Sequence, residues 1–362
     1  MSTAAENAVS LNGDAGSLLG SCPLPISNYK EIVLAHGSGG RLSQQLIEGL
    51  VVPRFRNELL APLHDGAVFA VNGARLAFST DSYVVSPIFF PGGDIGKLAV
   101  HGTANDLAMC GARPMHLSVG FILEEGLPMR DFARVVDSMR EAADAAGVNL
   151  VTGDTKVVDR GKADGIFINT SGIGLVPDGV NIGPSLARPG DKILISGQIA
   201  VHGIAIMSVR EGLEFETEIA SDTAPLNGLV ETMLAASNAI HVLRDPTRGG
   251  VTSALTEIAR SAGVGMLLHE ASIPIGEEVK GACEILGLDP LYVANEGKLI
   301  AILPADDADR VLAAMRAHPL GREAAIIGEV TSDHPSFVLM KTRVGGTRVV
   351  DMLSGEQLPR IC

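Results

Sequence analysis

Two apolar runs, residues 67–71 and 74–80, are separated by Asn72-Gly73, a dipeptide that supplies the positive φ angles of a two-residue turn, so they predict a β-hairpin with Asp81 at its strand end. Asp94 predicts the cap of a helix running through Leu98, Leu107 and Met109 toward Gly111. Residues 115–123 predict a strand. Pro128 then opens a helix in which Phe132, Val135, Val136 and Met139 recur at helical spacing until Gly147. Residues 148–151 and 165–173 predict two further strands. The stretch 176–190 holds three prolines and several glycines and reads as an interdomain linker. Beyond it the pattern predicts strands at 192–195, 299–303 and 325–330 and helices at 201–210, 249–262 and 305–317. Two successive α/β halves follow. Residues 355–362 show neither period, contain Pro359 and end on a thiol; chain ends of this kind are expected to be mobile.

The 362 residues suffice for two domains, each with its own core. A net charge of −14 argues against nucleic acid or an anionic membrane surface as the main partner, since both select basic patches. No apolar run approaches the ~18–20 residues of a membrane span. Cys22, Cys110, Cys283 and Cys362 form no CxxC pair, so neither a disulfide framework nor a zinc knuckle is expected, and free thiols suit a reducing cytosol. The first 28 residues are rich in Ala, Ser and Gly. They lack the basic flank of a signal peptide, and Gly13 and Asp14 interrupt the apolar stretch before Leu19-Gly20-Ser21-Cys22, so a disordered leader is expected.

Candidate chemistry begins at His36-Gly37-Ser38-Gly39-Gly40. This cluster fits neither a P-loop nor a dinucleotide fingerprint; it reads as a flexible surface loop or as a loop whose N–H groups fold over phosphates. Asp65, Asp81, Asp106, Asp154 and Asp245 each stand near a strand end or in a Gly-flanked loop. Such dispersed acids serve as turn residues and caps, or jointly as magnesium ligands, because magnesium takes a few carboxylates plus water and phosphate. Lys156, in Gly153-Asp154-Thr155-Lys156, could neutralise phosphate or take a proton. His101 and His202 read as structural.

Five motifs carry a resemblance. Residues 79–100 (Ser79-Thr80-Asp81 through Gly93-Asp94-Ile95 to Val100), Gly102-Thr103-Ala104-Asn105-Asp106-Leu107, Gly153-Asp154-Thr155-Lys156, Asp245-Pro246-Thr247-Arg248-Gly249-Gly250 and Asn295-Glu296-Gly297 are similar, in order, to the hydrogenase maturation family HypE, and Pro359-Arg360-Ile361-Cys362 matches that family's ending. The match leaves only the leader uncovered. It implies the fold of aminoimidazole ribonucleotide synthetase and selenophosphate synthetase, a two-domain PurM-like α/β fold with mixed sheets. The N-terminal domain, residues 29–176, would bind ATP and pair its sheet across a homodimer. The linker is residues 177–190, the C-terminal α/β domain 191–352, and the mobile tail with the acceptor cysteine 353–362. The resemblance further implies ATP and Mg2+ as cofactors and Asp65, Asp81, Asp106 and Asp245 as metal ligands. His36 to Gly40, Lys97, Asn105, Gly153 and Asp154 would contact nucleotide. His64-Asp65-Gly66 departs from the pattern, since relatives in the superfamily often carry paired acids there.

The implied reaction starts with a carbamoyltransferase, HypF, loading Cys362. ATP then drives loss of water to a thiocyanate, and the cyano group passes to iron on a HypC–HypD scaffold, all in the cytoplasm. Glu296 is the expected base, with Lys156 assisting. Two other readings stand beside this one: a different synthetase or kinase of the superfamily, and a non-catalytic carrier. Selenophosphate synthetase would place Cys or selenocysteine in the glycine loop, where this chain has His36 and Ser38, and thiamine-phosphate kinase needs no terminal thiol.

Overall fold

The computed structural model describes residues 29–212, 219–355 and 360–362. The expected leader and Pro359 lie outside them. Two short helices, α1 (Arg41–Leu46) and α2 (Val52–Phe55), precede the hairpin. There β1 (Ala67–Val71) pairs antiparallel with β2 (Ala74–Tyr83), and Asn72 and Gly73 take φ of 50° and 86° as the turn requires. β2 does not stop before Asp81. It runs on to Tyr83 because β7 (Ile166–Val176) pairs along its length, from Arg75 opposite Val176 to Tyr83 opposite Ile168.

A small ladder of β3 (Phe89–Phe90) and β4 (Gly93–Asp94) leads into α3 (Ile95–Met109). The Asp94 carboxylate accepts from the N–H groups of Gly96 (2.8 Å) and Lys97 (3.0 Å), two of the amides a helix start leaves unmet. β5 (Arg113–Glu124), α4 (Met129–Ala146) and β6 (Asn149–Val158) make a parallel crossover, and α4 ends at Gly147 with φ 68°. The first sheet has the order β1-β2-β7-β5-β6.

One face of that sheet is covered. Leu98 and Leu107 of α3 and Val135 and Met139 of α4 share a core with Ala77, Leu117, Ile166 and Ile168. The other face is open and carries exposed Phe78, Ile122 and Ile173. α3 is buried around nearly its whole circumference, with His101, Thr103 and Asn105 buried beside its apolar residues, the mark of a helix with packing on every side. Its last turn, at Ala108 and Met109, joins a core with Leu226, Leu229 and Leu243 of the second half. Gly102 is where α3 meets β2 most closely: a Cβ there would lie 2.1 Å from the Tyr83 hydroxyl oxygen. Gly102→Ala is expected to destabilise the fold by about 1–3 kcal/mol, as overpacking does, and a urea midpoint checks it.

Past residues 177–190, the second half runs β8 (Lys192–Ile195), α5 (Val201–Arg210), α6 (Asn227–Ala236), β9 (Val242–Arg244), α7 (Gly250–Ala262), β10 (Gly265–His269), α8 (Glu277–Leu286), β11 (Ile300–Leu303), α9 (Ala305–Ala317), β12 (Ala325–Thr331), β13 (Val338–Lys341) and β14 (Thr347–Val350). Its sheet has the order β14-β13-β10-β12-β8-β11-β9. The central strands β8 and β11 are almost wholly apolar and buried, as strands covered on both faces must be. Among the described residues no helix is long and apolar enough to cross a membrane.

Candidate functional site

Three carboxylates from three places in the chain converge. Asp65 precedes β1, Asp106 is in the last turn of α3, and Asp245 follows β9; each offers an oxygen within 4.8 Å of the others. Asp81 joins them from β2. Side chains alternate along a strand, so Asp81 shares the parity of Ser79, whose hydroxyl lies 2.8 Å from Asp106 Oδ2 and 2.7 Å from the Asp65 carbonyl. All four acids line one polar cavity of about 260 Å³ together with Gly39 and Arg248.

One guanidinium partly offsets the charge. Arg244 reaches Asp65 Oδ1 at 3.0 Å and Glu257 at 2.5 Å. It does not suffice. Burial, then the charges of Asp245, Asp81 and Asp65, push the Asp106 carboxyl well above the usual range. Burial and Asp65 push Asp245 up to about 8 against the pull of Arg244. Crowded acids of this kind ionise together only when a cation joins them. Asp65 Oδ2 accepts no hydrogen bond among the described residues, and the donors are all hard oxygens, so the set fits magnesium. The departure at His64 puts a buried imidazole beside Asp65 (Nδ1 to Oδ2 3.6 Å), and burial lowers its pKa, which keeps it from adding charge.

The chain terminus arrives at the same place. Ile361 is buried and Cys362 is only 5 % exposed. Burial raises the Cys362 thiol pKa; Arg248 opposes that, and Glu296, Asp81 and Asp245 add to it. Glu296 is 4 % exposed, and its Oε1 has no hydrogen-bond partner among the described residues. Burial first, then Asp245 and Asp81, raise its pKa well above the ordinary carboxylate value, while Arg248 lowers it. Glu296 sits in the loop that precedes β11, which begins at Ile300. Asn295 ties that loop to the Asp245 loop by donating to the Pro246 carbonyl at 2.9 Å and accepting from Ala200 N–H at 2.7 Å.

Gly39, at φ 76°, presses on the Arg248 backbone, where a Cβ would lie 2.7 Å from its carbonyl carbon. Its own carbonyl accepts from Ser253 Oγ at 2.9 Å. The glycine loop, His36 to Gly40, therefore abuts the cavity at Gly39. Asn105 does something else: its amide donates to the carbonyls of Ala224 (3.1 Å) and Glu296 (3.4 Å) and accepts from Leu226 N–H (2.8 Å), bracketing the Glu296 loop to α3. Lys97 donates to the Gly92 carbonyl at 2.9 Å, nine residues and roughly 13 Å along α3 from Asp106.

Lys156 and Asp154 are not brought to the cluster. They pair with each other at 2.5 Å, 68 % and 70 % exposed, on edge strand β6. The register runs Asp154–Gly120–Asn169–Ser82, so Asp154, Lys156 and neighbouring Gly153 lie roughly 14 Å of sheet away, the two charged residues with the parity of Ser82 and opposite to Asp81. Sequence reasoning also missed Arg244, Glu257 and a role for Arg248. The available signal for Arg244 was a charged residue directly after the apolar pair Val242-Leu243 and directly before Asp245.

A larger cavity of about 990 Å³ adjoins the polar one, sharing Gly39, Asp65, Thr80, Arg244 and Glu257, and is lined by Ile47, Leu59, Leu60, Leu63 and Phe78 among others. The model of the AIR synthase related protein N-terminal domain matches residues 63–176, and that of its C-terminal domain residues 188–341. The carbamoyl dehydratase HypE of Azotobacter vinelandii is 61 % identical over 331 residues, covering 91 % of this chain and 97 % of that protein. Among solved structures, a HypE–HypF complex gives a TM-score of 0.81 at 49 % identity, covering 85 % of this chain and 99 % of that one. A HypE structure in complex with ATP gives 0.78 at 53 %, covering 90 % and 98 %. The tandem α/β halves are thus the two PurM-like domains expected, and the chain belongs to the HypE family of carbamoyl dehydratases acting in hydrogenase maturation.

Proposed function

We propose that this chain dehydrates a carbamoyl group carried on Cys362 to a thiocyanate, with ATP as phosphoryl donor. The observation that carries the reading is the seat of the terminal thiol, buried beside Glu296 and next to the carboxylate cluster. The solved relative with ATP supports the nucleotide. Its base occupies the large apolar cavity and its phosphates the polar one, beneath the His36–Gly40 loop. Asp65, Asp81, Asp106 and Asp245 hold magnesium, which when bound supplies charge neutralisation for the phosphates.

The amide oxygen of S-carbamoyl-Cys362 attacks the γ-phosphorus in line, and the bond to ADP breaks. Amide oxygen leaves poorly; its phosphate leaves well. One N–H proton passes to solvent on forming the imidate phosphate. The second goes to the Glu296 carboxylate as the C–O bond breaks, giving S–C≡N and phosphate. Arg248, beside Cys362 and 3.8 Å from Asp81, offsets the charge that develops on the transferred group.

HypF is the carbamoyl donor, supported by the HypE–HypF structure, and a HypC–HypD iron scaffold in the cytoplasm is the acceptor. A second copy of the chain packs on the open face of the first sheet, whose exposed Phe78, Ile122 and Ile173 are apolar surface suited to an interface. Lys156 and Asp154 stand on that same face, at the far edge strand of the sheet from the carboxylate cluster. Intact mass of the C-terminal peptide after incubation with HypF, carbamoyl phosphate and ATP tests the reaction. A carbamoyl gain followed by loss of one water is expected; a carbamoyl adduct unchanged by ATP overturns it.

A further inference from the structure

A main-chain oxygen of each of the last three residues accepts from a donor. Arg360 O accepts from Ser86 N–H at 3.4 Å and from the Arg210 guanidinium, Ile361 O from His202 Nε2 at 2.9 Å, and Cys362 O from Val84 N–H at 2.9 Å. The Arg360 side chain in turn donates to Val84 O at 3.0 Å and pairs with Asp164. The groove therefore reads backbone, not the thiol.

Within it His202 is the most constrained donor. It is completely buried in the first turn of α5. Its Nδ1 lies 2.8 Å from Ser221 Oγ, which also accepts from Thr223 N–H at 3.3 Å, and Ser221 N–H is itself tied to the Pro91 carbonyl at 2.8 Å. Phe90 packs edge-on against the ring, with centroids 5.7 Å apart at 82°. A carbonyl only accepts, so Nε2 carries the proton and donates, and in the neutral ring Nδ1 accepts a hydrogen bond from the Ser221 hydroxyl. Burial lowers the His202 pKa and favours this neutral form.

The Ile361 carbonyl and the Cys362 N–H share one rigid peptide plane. Holding that oxygen fixes the plane, and Val84 N–H fixes the main-chain oxygen beyond it, so χ1 of Cys362 is the main freedom left. We propose that His202 is a positioning residue for the carrier thiol: by gripping the Ile361 carbonyl in a tautomer set by Ser221, it aims the Cys362 sulfur, and the group it carries, at Glu296 and Arg248. The proposal rests on Cys362 being the acceptor. A misplacement near 1 Å costs up to about 100-fold in rate.

Three single-turnover experiments, each starting from carbamoyl-Cys362 and read by peptide mass, test it. His202→Leu is expected to slow dehydration about 10- to 100-fold with the affinity for a non-hydrolysable ATP analogue unchanged, and to speed iodoacetamide alkylation of Cys362 in the unloaded protein. His202→Gln, which keeps a donor at the Nε2 position, is expected to recover most of both. If His202→Leu does not fold, Ser221→Ala carries the test, since it frees the tautomer and should slow the step several-fold. Dehydration at the wild-type rate in His202→Leu, or in Ser221→Ala when that variant stands in, overturns the positioning role. Failure of the wild type itself to dehydrate Cys362 would instead sink the acceptor reading.

Discussion

Cys362→Ala is expected to yield no thiocyanate and no cyanide while binding ATP as tightly as the parent. The loss is chemical, because the terminus is held through main-chain carbonyls and the alanine variant keeps every one of those bonds. A carbamoyl group held on this sulfur is already in the cleft, so its encounter with the nucleotide is intramolecular. Removing the sulfur removes the substrate rather than weakening its binding. Calorimetry with a non-hydrolysable ATP analogue and mass analysis of the C-terminal peptide check both halves. Cyanide formation at an undiminished rate would eliminate the carrier role.

Glu296→Gln should trap the loaded enzyme: carbamoyl-Cys362 persists with ATP bound, and dehydration falls by about 10²–10⁴, the range for removing a positioned base. The same change should leave the protein more stable. Glu296 is a buried acid whose Oε1 has no partner and whose pKa is raised by burial and by Asp245 and Asp81, so its ionised form costs free energy at neutral pH. A neutral amide of the same shape removes that cost. Activity lost with a raised melting temperature is the signature of a group kept for chemistry. Normal turnover would reject Glu296 as the base, and a fall in melting temperature would show that its carboxylate is needed for packing.

His202 shows the limit of reading residues singly. From the chain alone it is a helical histidine among apolar neighbours, which predicts a structural role. Its partner Ile361 is 159 positions away, and only the fold supplies it. Asp106 and Asp245 are separated by 139 positions and Asp65 and Asp106 by 41, yet their oxygens meet within 4.8 Å. Motif resemblance could name these acids. It could not show that Arg244 pairs with Asp65 and offsets part of their charge, or that Asn105 and Lys97 bond to main-chain groups of the protein itself.

Several elements of the second half were also invisible. β9, β13 and β14, of three or four residues each, are not among the predicted strands, and α6 and α8 are not among the predicted helices although each has ten residues. Where the local signals are strong, the outcome differs. Asn72-Gly73 turns the hairpin, Asp94 starts α3, and Gly147 stops α4, since each acts on backbone within a few residues of itself.

What the sequence determined by itself is therefore the set of turns, caps and periodic runs, and the motifs that name the reactive groups. Tertiary structure alone decided which groups meet. Sheet register sets side-chain parity, so pairing β6 beyond β5 and β7 turned Lys156 away from Asp81. Burial, which pushes Asp245 and Glu296 out of the ordinary carboxylate range, arises from packing between residues distant in the chain, and no neighbour in sequence encodes it.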